Sequence, residues 1–148
     1  MSPQAWRWHN VPVPEPHTTG LLASLLLHTF WPRQLALRSA SRAGGAMLLT
    51  AGAAVAAWAT AATGTSDLEP PERLVIDGPY VYSRNPMYVG WTLAYVGVAG
   101  LVSSPWPLVL LPGVVVAMHR QVRREERRLA DRFGPEYELY ANRVRRYV

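Results

Sequence analysis

The chain has 148 residues, 49% hydrophobic and only 17% charged, with a net charge of +5. That length suits one domain of ordinary size. All 15 basic residues are Arg, nine of them between Arg120 and Arg146, so the positive charge is a C-terminal feature. With no Cys, disulfides, thiolate metal sites and thiolate nucleophiles are excluded. Clustered Arg also occurs in nucleic-acid binders, but the chain carries no recognition module, so a nucleic-acid partner is not expected. A membrane protein with a basic cytoplasmic tail fits the segregation better.

The first nineteen residues, "MSPQAWRWHNVPVPEPHTT" before Gly20, are rich in Pro and lack the layout of a signal peptide. They read as an irregular leader. The first apolar stretch, Gly20 to Trp31, would span about 18 Å as a helix, short of a ~30 Å hydrocarbon core. It crosses only if it extends past Pro32 with Arg33 reaching to the interface. The second, Ala43 to Thr63, is a full uncharged span. Its Gly44, Gly45, Ala46, Gly52, Ala53 and Ala56 would admit a close neighbouring helix. Residues 20–64 thus form the first two helices. A loop over residues 65–85 follows, carrying Asp67, Glu69, Glu72 and Asp77.

From Tyr88 to Met118 no residue is charged. The break at "SSPWP" (Ser103 to Pro107) divides this run into a tight helical hairpin over residues 86–124. One helix runs from about Pro86 to Val102, with Ala94, Gly97 and Gly100 on a packing face. The other starts near Trp106 and continues through the Arg-rich segment to Gly134-Pro135, a helix stop. A short surface helix from about Glu136 to Val144 completes a tail over residues 125–148. The expected fold is one all-α integral membrane domain of about four spans. The positive-inside rule places the C-terminus in the cytoplasm, and the localisation expected is a bacterial inner membrane. Arg33, Arg38 and Arg42 oppose this, since four spans put them outside. Either the tail outweighs them or the first segment does not fully cross.

The stretch "GPYVYSRNPMYVGW" (Gly78 to Trp91) sets polar and helix-breaking residues at the start of an apolar helix. Asn85 suits an N-cap and Pro86 the first helical position. A helix N-terminus offers free N–H groups to an anion, and Arg84 adds a full charge. Tyr80, Tyr82 and Tyr88 add flat surfaces with polar tips, and Gly90 opens the backbone to a ligand. The ordinary alternative is a set of interfacial anchors around a helix cap. Glu125 and Glu126 lie at the cytoplasmic end of the fourth helix. There they read either as solvated residues paired in Glu125–Arg128 and Arg123–Glu126, or as a site. The hairpin brings them to the end where Asn85-Pro86 lies, which suits a zwitterionic ligand. The four His show no metal-ligand spacing, and no metal is expected; His28 and His119 read as packing or interfacial residues.

In order, these motifs are Gly78-Pro79-Tyr80, Arg84-Asn85-Pro86-Met87-Tyr88, Gly90, Glu125-Glu126, Phe133-Gly134, Tyr137 and Tyr140. Together they resemble the isoprenylcysteine carboxyl methyltransferase and phospholipid methyltransferase family over roughly Val75 to Val148. The resemblance implies an integral-membrane enzyme that uses S-adenosylmethionine. It implies a cofactor held by Tyr80, Arg84, Asn85, Pro86, Met87, Tyr88, Gly90, Glu125, Glu126, Arg132, Tyr137 and Tyr140. Arg84, Asn85, Glu125 and Glu126 are then the candidate catalytic residues. The acceptor would be a lipophilic molecule bearing a carboxylate, thiolate or amine, entering from the bilayer. Where the family has His, this chain has Asn85, which cannot titrate near neutral pH. Ser83-Arg84 also resembles NADPH-dependent steroid-reductase-like proteins, although Trp91 departs from their pattern. A non-enzymatic membrane protein that kept the fold is the third reading.

Overall fold

The computed structural model describes residues 15–36, 38–63 and 73–148. Within them are five α-helices and no strand: α1 (Glu15–Phe30), α2 (Arg38–Thr63), α3 (Pro86–Val102), α4 (Trp106–Phe133) and α5 (Pro135–Arg143). A single 3-10 turn, Gly78–Val81, precedes α3. The acidic loop residues Asp67, Glu69 and Glu72, and most of the leader, fall outside the described residues.

The helix α1 starts five residues earlier than the apolar run suggests. Glu15 and Pro16 occupy its first turn, where an acid meets the positive helix end and Pro lacks no needed hydrogen bond. At 1.5 Å per residue α1 is about 24 Å long and α3 about 26 Å. Among the described residues one helix, α2, is long and apolar enough to cross a membrane, and only 22% of its most apolar window is buried within the protein. A core helix of a soluble domain would be mostly buried. Leu22, Leu25, Leu26, Phe30, Met47 and Val116 likewise face outward, each more than half exposed.

The helices run alternately up and down. At one end, the Leu35 N–H donates to the Ser103 carbonyl at 2.8 Å, and Trp106 Nε1–H donates to the Trp31 carbonyl at 2.7 Å. Ser104 Oγ and His28 Nδ1 are 3.2 Å apart there. His28 is thus a packing residue at the end of α1. Ser103 takes a left-handed backbone (φ 51°) to close α3 before Pro105 and Trp106 open α4. The opposite end gathers the start of α1, the end of α2, the start of α3 and the charged half of α4.

Small residues decide which helices touch. The close partner of α3 is α2, so the short α3–α4 turn does not make those two helices the tightest pair. A side chain on Gly52 would lie 2.5 Å from the Ala94 N and the Gly90 carbonyl oxygen. One on Gly90 would lie 2.8 Å from the Ala56 N, and one on Gly100 2.6 Å from the Ser41 carbonyl oxygen. The seam therefore uses Gly45, Gly52 and Ala56 against Gly90, Ala94, Gly97 and Gly100. Of the expected packing positions, Gly44 has open space around it, and Ala46 and Ala53 are exposed. Meanwhile α1 lies along α4, with Gly20 against Val114 and Tyr95.

Candidate functional site

The polar end is built around one carboxylate. Glu126 lies on the buried face of α4, in line with Val114, Met118 and Val122. Its Oε2 accepts from Arg146 Nε–H at 2.8 Å, and its Oε1 lies 3.3 Å from Arg84 Nη2. Asn85 Nδ2–H completes the set, donating to Glu126 Oε1 at 3.4 Å and to the Arg146 carbonyl at 3.1 Å. Desolvating a carboxylate is costly unless it is paired and hydrogen-bonded, and two guanidinium groups do this here. The pairing of Glu126 with Arg123, open on the sequence, is replaced by these longer-range partners.

Asn85 stands at the N-cap position of α3, but its side chain makes no cap hydrogen bond. Ser83 helps fix the turn instead, its Oγ accepting from the Asn85 N–H at 3.1 Å. The freed Asn85 amide reaches across to α4 and the tail. Arg84 is pinned by three of its groups. Its N–H donates to the Arg145 carbonyl at 2.9 Å, Nη1 to the Ala141 carbonyl at 3.2 Å, and Nη2 faces Glu126. The side chains of Arg84 and Asn85 before α3 thus meet Glu126 directly, and Tyr88 in its first turn meets Glu125.

Glu125 has a different environment. Its Oε1 accepts from Tyr88 Oη–H at 2.7 Å. It has no ion pair among the described residues, and burial raises its carboxyl above the ordinary range despite the Tyr88 and Gln121 hydrogen bonds and the nearby Arg128. Two adjacent acids therefore differ: Glu126 is neutralised by two Arg, while Glu125 is held by neutral donors. Burial, with a smaller push from Glu125, lifts the Tyr80 phenol to about 12. The Tyr80 carbonyl accepts from Tyr140 Oη–H at 2.8 Å, which ties α5 to the 3-10 turn. Tyr137 is buried on α5 with its ring edge toward Tyr140 at 6.2 Å between centroids.

Most of the expected residues therefore converge: Tyr80, Arg84, Asn85, Tyr88, Glu125, Glu126, Tyr137 and Tyr140. Pro86 is buried in the first turn of α3, and Met87 is half-buried beside it. Two residues stand elsewhere. Gly90 faces the Gly52–Ala56 backbone of α2, so its missing side chain serves helix packing and leaves no space for a ligand. Arg132 is exposed on the last turn of α4, its guanidinium 5.7 Å from the centre of the Phe133 ring. Tyr82 is also exposed, its ring 6.4 Å from that of Trp58.

Sequence reasoning named no site residue among the last five. Beyond α5 the chain returns to the site, and Arg146 is Glu126's shortest contact. His119 belongs to this docking, with Nδ1 2.9 Å from Tyr147 Oη. The signal was present, because Arg145-Arg146-Tyr147 repeats the arginine–aromatic chemistry of the opening turn without a helical pattern to absorb it.

Among the described residues the chain is all-helical, with an outward apolar surface and one polar, tyrosine-lined end, a frame that fits a membrane-associated protein. The sequence model of the phospholipid methyltransferase family matches residues 40–136, more than half of the chain, and the protein belongs to that family. The match begins in α2, well before the motifs that carry the resemblance, and ends just before Tyr137. No curated protein and no solved structure gives a match.

Proposed function

We propose that the protein transfers a methyl group from S-adenosylmethionine to a lipophilic, membrane-partitioned acceptor at the cytoplasmic face of a bilayer, probed by four spanning helices. The observation that carries this reading is the meeting of the Arg84–Asn85 turn with Glu125 and Glu126 at one end of the bundle, in a chain of the phospholipid methyltransferase family.

The residues present fit such a cofactor. Arg84 Nε and Tyr137 Oη are both buried there without a hydrogen-bond partner among the described residues. Native proteins rarely leave such groups unmatched, and a polar ligand would match them. Glu125 offers a carboxylate with no ion pair among the described residues, a partner for an ammonium group. Arg84 and Tyr137 would meet a carboxylate or ring nitrogen, and the Tyr80 and Tyr140 rings would flank the apolar parts of the molecule. When bound, S-adenosylmethionine supplies a methyl group already activated on a positive sulfonium. The chain's own contribution is to orient the acceptor and to exclude water from the reacting groups. Asn85 takes part as a fixed hydrogen-bond donor, with no proton to exchange near neutral pH.

The alternating helices and the outward apolar side chains support the reading of four crossings, and the Arg-rich end of α4 supports placing that end in the cytoplasm. The test uses the purified protein in vesicles containing phosphatidylethanolamine, and separately with a farnesylated cysteine carboxylate, each with S-adenosylmethionine labelled in its methyl group. Label in an organic-extractable product, absent with Glu126→Ala, supports the proposal. No label with either acceptor, from protein that also fails to bind the cofactor, rejects it.

A further inference from the structure

His17 stands at the start of α1 and is 2% exposed. It was read as part of an irregular leader, yet the fold carries it into the bundle. Its Nε2 lies 3.0 Å from Thr92 Oγ1 on α3. Its other nitrogen, Nδ1, is buried and has no partner among the described residues. The hydrogen bonds of Thr92 bear on which nitrogen carries the proton. Thr92 has a single hydroxyl hydrogen and two acceptors for it besides His17, the Tyr88 carbonyl at 2.8 Å and Met118 Sδ at 3.6 Å. With the hydrogen on either of these, Thr92 Oγ1 accepts from His17 Nε2–H, and Nδ1 then holds a bare lone pair. A buried acceptor with no donor is costly, which makes it a candidate for a ligand's hydrogen.

The space next to it is of the right kind. His17, Leu21, Leu49, Trp91, Tyr95 and Val98 line a cavity of about 100 Å³ between α1, α2 and α3. Its walls are almost wholly apolar, and the Tyr95 ring stands edge-on to His17 at 6.0 Å. A cavity of this size accepts a ring or a few methylenes and stays dry if apolar. His17 links the cavity to the polar end through its contact with Thr92. Thr92 is one helical turn from Tyr88, whose hydroxyl is bonded to Glu125.

We infer that this cavity is the head-group pocket for a lipophilic acceptor, in which His17 Nδ1 accepts the hydrogen of an ammonium or hydroxyl group while the apolar walls hold the adjoining carbon chain. The pocket's role as an acceptor site rests on the methyl-transfer reading; its chemistry as a binding site does not. It gives the chain a hydrogen-bond acceptor on the residue bonded to Thr92, one turn of α3 from Tyr88.

The test is nitrogen NMR of protein labelled with 15N-histidine in nanodiscs, with the His17 signals assigned by their loss in His17→Gln. Two probe pairs separate the sources of the hydrogen: 4-butylphenol against 4-butylanisole, and hexylammonium against hexyltrimethylammonium. The inference expects a bare Nδ1 signal in the free protein. It expects a saturable shift of that signal with at least one hydrogen-bearing probe, no shift with its methyl-blocked partner, and at least tenfold weaker binding of the active probe to folded His17→Gln. If that variant does not fold, the spectra of the unmodified protein decide. A protonated Nδ1 in the free protein, no shift with either hydrogen-bearing probe, or equal shifts with the blocked partners overturns the inference. A buried water satisfying Nδ1 would give the second of these results. S-adenosylmethionine binding is titrated in parallel. Its absence beside a working His17 response rejects the methyltransferase reading alone, and the reverse result rejects the pocket alone.

Discussion

At the scale of single residues, the two adjacent acids of α4 make opposite predictions. Glu126 holds two Arg, and Arg84 is itself only 12% exposed, so Glu126→Ala leaves buried charge without a partner. We expect a loss of about 3 kcal/mol, at the low end for a broken buried pair because Arg146 is one-third exposed. Thermal unfolding in detergent reads it; a melting point equal to wild type would show that the two Arg do not depend on Glu126. Glu125→Gln should do the reverse. Burial raises the folded-state carboxyl above its unfolded value, so the folded protein binds a proton more readily, and stability rises as pH falls from the folded to the unfolded value. Gln carries no charge and still accepts from Tyr88. The variant is therefore expected to be more stable than wild type at pH 7, with the difference shrinking toward pH 4; melting points across that range check it. Glu125 and Glu126 were both legible as a site from their position at the end of the apolar run. Their difference was not, because it depends on Arg146, Arg84 and Tyr88, which are 20 or more residues away in the chain.

At the scale of elements, the glycines carry the argument. The α2–α3 seam leaves no room for a side chain on Gly52, whose neighbours are backbone atoms that cannot move aside. Gly52→Leu is expected to cost about 3 kcal/mol, the upper end for overpacking. Gly44→Leu, facing open space, should be neutral to slightly stabilising, since Leu favours the helix more than Gly does. Equal melting points for the two variants would place the seam elsewhere. The sequence identified both helices and the small-residue character of their contact. It could not say which glycines of α2 face α3, because Gly44, Gly45, Ala46, Gly52 and Ala53 spread around the helix and only the partner's position selects among them. The early start of α1 was hidden for a related reason. Pro16 and the polar residues beside it look like loop, and only the contact of His17 with Thr92 shows why they enter the bundle.

At the scale of the whole molecule, the chain closes on itself. The residues after α5 return to the turn before α3, where the Arg146 carbonyl accepts from Asn85 and Ser83 and the Arg145 carbonyl from the Arg84 N–H. Deletion of residues 144–148 removes these acceptors together with the Arg146 guanidinium and the Tyr147 hydroxyl. It is expected to lower the melting point more than Arg146→Ala alone, and an unchanged melting point would mean that the tail only rests on the site. Such non-local closure has no periodicity in the sequence, which is why the helical framework was readable and the tail's return was not. The central claim is that this closed polar end holds S-adenosylmethionine. Calorimetric titration of the purified, folded protein with S-adenosylmethionine, and with NADPH as the comparison, tests it most directly. The account predicts saturable one-to-one binding of S-adenosylmethionine, weakened at least tenfold by Tyr137→Phe with Arg84→Lys, and no heat from NADPH. Binding of NADPH alone, or of neither by folded protein, would contradict it.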